Sequence, residues 1–262
     1  MKWRLWVIIT LVLGCAAITF FLPRIPQPEA YHNFADQRTL LGIPHFFDVV
    51  SNIFFLIVGV LGVRFIIRDR SRTESAFLKP LERWPYLIFF LCVTLTAFGS
   101  AYYHLQPNDS RLVWDRIPII LSCMALLAAV LGERICIRTA SWLLAPLMLL
   151  GTWSVLYWRA SQAAGRGDLR PYGLAQYGSF LILVFLLALF PARYTRGSDF
   201  VVALAIYAAA KLFEAADRPI YSPCEIVSGH TLKHIAAALS AYWLLRMLIL
   251  RKPLNSEPLP AA

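Results

Sequence analysis

Charge is what this chain has least of. Lys, Arg, Asp and Glu make up 15% of its 262 residues, against about 25% in soluble domains, and no long stretch is polar enough to fold as a soluble domain of its own. That excludes a soluble enzyme, a fibrous protein and a disordered chain. A disulfide framework is absent too. Of the cysteines at 15, 92, 123, 136 and 224, four fall in or beside apolar runs and only Cys224 lies in a loop on the far side, either free or paired with another chain. No unit repeats along the chain, which excludes a solenoid.

Hydrophobic residues account for 59% of the chain and gather in long, near-continuous runs. Strands of a transmembrane barrel are short and alternate, so the class is all-α: a polytopic helical membrane protein. Runs are drawn over 5–22, 46–67, 86–105, 113–131, 139–158, 174–191, 200–216 and 228–249. Eight spans of about 20 residues absorb roughly 160 positions. Prolines 23, 26 and 28 close the first run, and a basic stretch from Arg64 to Arg83 separates the second from the third. The expected organisation is an anchor helix and Pro-rich linker over 1–30, a seven-helix domain over 31–250 and a short, frayed tail over 251–262.

The first run follows Lys2 and Arg4, as in a secretory signal, and Cys15 after Val12-Leu13-Gly14 resembles a lipoprotein cleavage site. The run continues past Cys15 through Phe20, Phe21 and Leu22, longer than a signal core, and reads as an uncleaved anchor. With the N-terminus inside, fifteen Lys and Arg fall on the inner side and eight on the outer. The positive-inside rule then puts both termini in the cytoplasm. A formal charge of +10 thus reads as an orientation signal rather than a nucleic-acid footprint.

Ionisable side chains within spans mark functional sites by default. All five histidines, His32, His45, His104, His230 and His234, fall on the outer side of this topology. His230 and His234, in SGHTLKHIAAAL, are four apart and share one helix face. That spacing suits two ligands to one zinc, or two interfacial histidines bonded to carbonyls. In GSAYYHLQ, Ser100 and His104 again share a face. Asp115, in VWDRIPI, opens the next span on the same side. Asp115 could instead pair with Arg111 or Arg116 or sit as a helix-end charge, and Ser100 could be a small packing residue. Three histidines, a carboxylate and a hydroxyl from three spans converge at one depth. Zinc with three histidine ligands keeps a fourth position for water, whose pKa it lowers to about 7.

SxxxH (Ser100, His104), an Asp eleven residues on (Asp115) and a late HxxxH (His230, His234) resemble the alkaline ceramidases and the wider superfamily of seven-helix membrane hydrolases that includes the adiponectin receptors. DVVSN (Asp48–Asn52) is similar to the segment opening the first core helix of that family. The likeness runs over about 31–250, with the first span additional. It implies a seven-helix bundle holding zinc on His104, His230 and His234, with Asp115 as general acid/base and Ser100 stabilising the oxyanion. The reaction it implies is hydrolysis of the amide of a ceramide-like membrane lipid to fatty acid and long-chain base, in the outer leaflet. Calcium is not expected: the family's acidic N-terminal segment is represented only by Asn33, Asp36 and Asp48, with His45 where an acid would stand, and the cysteine that would partner Cys224 is missing.

Asp48, Asn52 and His45 are candidates to hydrogen-bond a zinc histidine from behind, Asp48 and Asn52 otherwise serving as a helix-end charge and an interhelical amide. Lys233 either puts a cation near the proposed zinc or snorkels outward, and Lys211–Glu214 reads as a buried pair locking the bundle rather than as catalytic groups. Tyr102, Tyr103, Trp114, Tyr172 and Tyr177 read as an interfacial belt. The competing functions are a non-catalytic receptor or lipid-binding protein with a structural metal, and a hydrolase of another lipid amide or ester.

Overall fold

A computed structural model describes residues 2–69, 75–223 and 225–254. Arg70 and Arg72 of the basic loop, Cys224 and the tail from Asn255 lie outside the described residues. Among the described residues eight long helices follow in order: α1 (Lys2–Phe21), α2 (Phe46–Asp69, with a turn at Ser51–Asn52), α3 (Arg83–Leu105), α4 (Asp109–Arg134), α5 (Ile137–Ala163), α6 (Arg170–Leu189), α7 (Ser198–Ala215) and α8 (Gly229–Leu250). Among the described residues the only bridges outside helices are Leu40–Ile43 and Tyr194–Pro253. The chain is an all-α, multi-pass membrane protein.

Seven of the eight helices are long and apolar enough to cross a membrane. The exception is α7, whose 18 residues carry Asp199, Lys211 and Glu214. A helix of such a bundle can carry these charges only where partners satisfy them, and it has them. Asp199 pairs with Arg196 at 2.6 Å and Lys211 with Glu214 at 2.6 Å.

Consecutive helices pack side by side from α2 to α5, and α8 lies between α7 and α2. Small residues set the closest approaches. Gly99 on α3 meets the carbonyl of Trp114 on α4, so the α3 backbone abuts α4 just where Ser100 and Asp115 follow. At Gly229 an added Cβ would stand 2.7 Å from the Asp217 Cα. The start of α8 is thereby pressed against the short helical segment Asp217–Tyr221 that follows α7. Each methyl group would force a helix outward, because packed interiors leave no room for one.

The ring of helices is loosest between α6 and α7, which meet through the tilted rings of Phe180 and Tyr207, 4.6 Å between centroids, and a 3.0 Å bond from Gln176 to the Tyr207 hydroxyl. The first helix stands beside this gap against α6. Arg170 on α6 donates to the carbonyls of Phe20 and Leu22 at its end. α1 is thus a wall of the bundle's interior rather than an appendage, although Ile8 is its only buried residue.

The end of the bundle away from the histidines is sealed by ion pairs. Glu133 on α4 accepts from the hydroxyl of Tyr86 at 2.8 Å and pairs with Arg251 just beyond α8. The Arg251 guanidinium also stacks on Tyr194 at 3.9 Å. The tail is therefore ordered at its beginning, with Leu254 N–H donating to the Arg193 carbonyl, because it carries the partner of a buried carboxylate.

Candidate metal centre

His104 occupies the last turn of α3, and His230 and His234 the first turns of α8. Two devices hold α8 in place. Ser228 caps its N-terminus, accepting from the Thr231 N–H at 3.0 Å, and the buried Asp48 carboxylate on α2 accepts from the hydroxyls of Thr231 (2.8 Å) and Ser228 (3.2 Å). Asp217 takes the His230 N–H at 2.8 Å and the Ala35 N–H at 2.8 Å, tying the linker to the same point. Unpaired helix N–H groups need such acceptors. Here they also fix the position of both histidines.

The three rings form a triangle, with centroids 4.7 Å (His104–His230), 5.0 Å (His104–His234) and 4.8 Å (His230–His234) apart. One ring nitrogen from each lies within 4.8 Å of the others, and all three residues are buried. The Nε2 atoms of His104 and His230 stand 3.2 Å apart. Zinc–nitrogen bonds of 2.0–2.1 Å in a tetrahedron put ligand nitrogens about 3.4 Å apart, so this pair is already spaced for chelation. His234 Nε2 is buried with no hydrogen-bond partner among the described residues, while its Nδ1 lies 2.8 Å from the Ser51 hydroxyl. A buried imidazole held through one nitrogen and bare at the other suits metal ligation. The donor set, three imidazoles without thiolate, fits zinc among several transition metals.

The residue backing His234 is Ser51, which nothing in DVVSN marks above Asp48 and Asn52. Asp48 faces α8 instead, and Asn52 donates to the carbonyls of Asp48 (2.7 Å) and Val49 (3.2 Å) within its own helix. At the turn in α2, Asp48 and Ser51 both meet α8 but Asn52 rotates away. His45 precedes α2 with φ +47°, and its ring meets the backbone of His104 rather than another imidazole. Burial lowers the affinity of the His45 ring for a proton, partly opposed by that backbone acceptor. His32 bridges the Tyr103 hydroxyl (2.8 Å) and Asp109 (3.0 Å), fastening the linker to α3 and α4.

Phe34 covers the cluster, its ring centroid 4.7 Å from that of His104 and 4.4 Å from that of His230. Nothing in a linker phenylalanine signals this. The Asp217 tether at Ala35 places it.

Ser100 and Asp115 are brought together across the Gly99 contact, with the Ser100 hydroxyl against the Asp115 carboxylate. Asp115 pairs with neither candidate arginine: Arg111 donates to the Tyr102 carbonyl and Arg116 to Gln27. Asp115 Oδ1 is buried without a partner among the described residues. Both residues line a cavity of about 720 Å³ with His234, Lys211, Glu214 and Lys233, and its walls come from α1, α3, α4, α6, α7 and α8. Away from the polar groups the lining is apolar, including Leu126, Leu183 and Leu244. That volume is within the usual range of small-molecule pockets.

The structure places the remaining polar and aromatic candidates. Lys233 does not snorkel outward: its ammonium lies 3.1 Å from Glu214 and 3.2 Å from His230 Nε2, because α7 presents a carboxylate to the inner face of α8. Lys211 and Glu214 form the expected pair at 2.6 Å, and Glu214 also serves Lys233 from the cavity wall. Of the aromatics, Tyr102, Trp114 and Tyr177 are exposed, but Tyr103 and Tyr172 are buried in a cluster with Phe34 and Trp158.

The oxygen groups of the linker are engaged. Asp36 accepts from Arg38 at 2.8 and 2.7 Å, and Asn33 accepts from Gln37 at 2.7 Å. Cys15, Cys92, Cys123 and Cys136 are free. Compared with known proteins, the chain matches no family model and no curated protein.

Proposed function

We propose that this protein is a zinc-dependent membrane amidase that hydrolyses the N-acyl bond of a ceramide-like lipid. What supports the reading is the convergence of a buried three-histidine cluster, a carboxylate with one bare oxygen and a hydroxyl at the polar end of an apolar cavity beside the gap between α6 and α7. A receptor with a structural metal would need neither Asp115 nor Ser100. The likeness of the SxxxH, Asp and HxxxH pattern to the alkaline ceramidases points the same way.

In this mechanism His104, His230 and His234 hold the metal, which supplies Lewis acidity and an acidified water when bound. The apolar wall takes the acyl chain, which enters from the bilayer between α6 and α7, and the amide lies across Ser100 and Asp115. Asp115 takes the proton of the attacking water on its carboxylate and returns it to the amine nitrogen as the C–N bond breaks. The Ser100 hydroxyl, beside that carboxylate, donates to the oxygen on which negative charge develops. Ser51 keeps His234 in one orientation. With the termini inside, as the Lys and Arg bias implies, the reaction occurs in the outer leaflet.

The test is incubation of purified protein with a panel of N-acyl lipids, with and without a zinc chelator, detecting released fatty acid. Near-stoichiometric zinc, lost on His230→Ala or His234→Ala, and chelator-sensitive release are expected. Wild-type protein without bound metal, or release that ignores both substitutions, would sink the proposal.

A further inference from the structure

The polar end of the cavity carries more positive charge than the amidase reading uses. Lys211 and Lys233 share one carboxylate, Glu214, at 2.6 and 3.1 Å. Arg116 lines the same cavity and has no carboxylate partner among the described residues. Its Nη2 donates to Gln27 Oε1 at 2.5 Å, and its Nη1 is buried with no acceptor. The guanidinium lies over the rings of Trp158 (4.1 Å), Tyr172 (4.8 Å) and Tyr31 (5.5 Å). Tyr31 links the two groups, its hydroxyl 3.5 Å from Glu214.

The Arg116 position is built rather than accidental. Gln162 on α5 holds the backbone of Gln27 from both sides, accepting from its N–H at 3.2 Å and donating to its carbonyl at 3.1 Å. The Gln27 side chain is thereby fixed against the guanidinium. Three cations thus face one carboxylate here, and even with Asp115 counted the cavity keeps an excess of positive charge before any metal is added. Uncompensated charge inside a membrane protein is costly and is ordinarily met by a partner. The aromatic rings offset part of that cost for Arg116, but they carry no countercharge. Lys211 and Lys233 both line the cavity beside Arg116.

We infer that the cavity binds an N-acyl lipid with an acid group, a carboxylate or a phosphate, on its amine side, held by Lys211, Lys233 and Arg116. The inference rests on the amidase reading for which bond is cut, and it shifts the substrate from a neutral ceramide-like lipid to an N-acyl lipid that carries an acid group. The assignment to the amine side follows from the segregation of the lining. Leu126, about three turns deeper than Asp115 on α4, lies in the apolar part where an acyl chain fits. The cations flank Asp115 at the opposite end, where the leaving amine would stand.

The test compares three probes on the zinc-loaded, full-length protein in detergent: N-oleoylglycine, N-oleoyl-phosphoethanolamine and the neutral N-oleoylethanolamine. Binding is measured by titration on Asp115→Asn and turnover on the wild type. At least one acidic probe is expected to bind about tenfold or more tighter than the neutral one, the scale of a hydrogen bond to a charged group. Which one does so separates the carboxylate from the phosphate. Lys211→Gln and Arg116→Gln should each pull that ratio towards one and flatten its salt dependence. The comparison of probes on the unsubstituted cations stands even where a variant fails to fold. A neutral probe bound as tightly as both acids overturns the inference, whether or not it is cleaved. Tight binding of an acid without cleavage of any probe leaves the anion site standing and removes the amidase reading.

Discussion

Ser51 gives the sharpest test of the metal centre, because its contribution can be worked out atom by atom. For His234 Nε2 to ligate a metal, the ring must carry its proton on Nδ1. Nδ1–H then donates to the Ser51 oxygen at 2.8 Å, and the Ser51 hydroxyl passes its own proton towards the Asp48 carbonyl at 3.3 Å. Ser51→Ala removes the acceptor and leaves a buried N–H. An ordinary buried hydrogen bond is worth about 1–1.5 kcal/mol, and the group left unpaired costs about 1–3 kcal/mol. The Asp48 backbone carbonyl also reaches His234, so part of that loss is recovered. The net effect should fall near 1.4 kcal/mol, about a tenfold weaker zinc affinity, at the lower end of the 10–100-fold seen when a partner of a metal-bound histidine is removed. Competition with a chromophoric chelator at fixed pH reads this directly. The apo protein should melt within a few degrees of wild type, since a single methylene-sized packing group is kept. Zinc affinity equal to wild type would refute the reasoning, because His234 would then be oriented by something other than Ser51.

Asp115→Asn should keep zinc and abolish amide hydrolysis, with a loss near the top of the 10²–10⁴-fold range of general acid–base catalysis. Ser100→Ala should cost about 10²–10³-fold, and the reverse ordering would exchange their roles. Calcium should be dispensable: a calcium-specific chelator that spares zinc should leave turnover and melting temperature unchanged, and a loss reversed by calcium would reveal a site on the linker. Hydrogen bonds from Arg170 hold the Asp168 carboxyl below the usual range, and those from Arg38 do the same for Asp36 against the opposing effect of its burial. Carboxylates depressed in the folded state stabilise it above their unfolded pKa of about 3.9 and lose that contribution as pH falls through the lower folded value. Melting temperature should therefore hold from pH 7 to 5 and drop below about pH 4, with a shallower acid limb in Asp168→Asn. A limb unchanged in that variant would remove Asp168 from the account. Reporter fusions in the 64–83 and 159–170 loops should label opposite sides of the membrane, and a single side for both would overturn the orientation.

The helices, and the residues of the histidine cluster, were legible in the chain itself because their signals are local. A run of about 20 apolar residues has few alternatives in a bilayer, and four-residue spacing puts Ser100 with His104, and His230 with His234, on common faces whatever the fold. Their convergence required only that consecutive spans alternate. What the chain alone could not show are contacts across unrelated elements. Ser51 rather than Asn52 backs His234 because of a turn within α2. Phe34 covers the cluster because Asp217, far along the chain, holds the neighbouring Ala35.

Lys233 illustrates the same division. Its hydrophobic stem and charged head permit an outward or an inward course equally, and the choice falls to Glu214 on the adjacent helix. Glu133 and Arg251 meet at the other end of the bundle for the same reason, two charges that read separately as loop residues and together as a buried pair. Period and hydropathy are written residue by residue. The charge partner of a buried group is set by which helix faces it, so the excess of cations around Arg116 became visible only once α4, α7 and α8 enclosed one cavity.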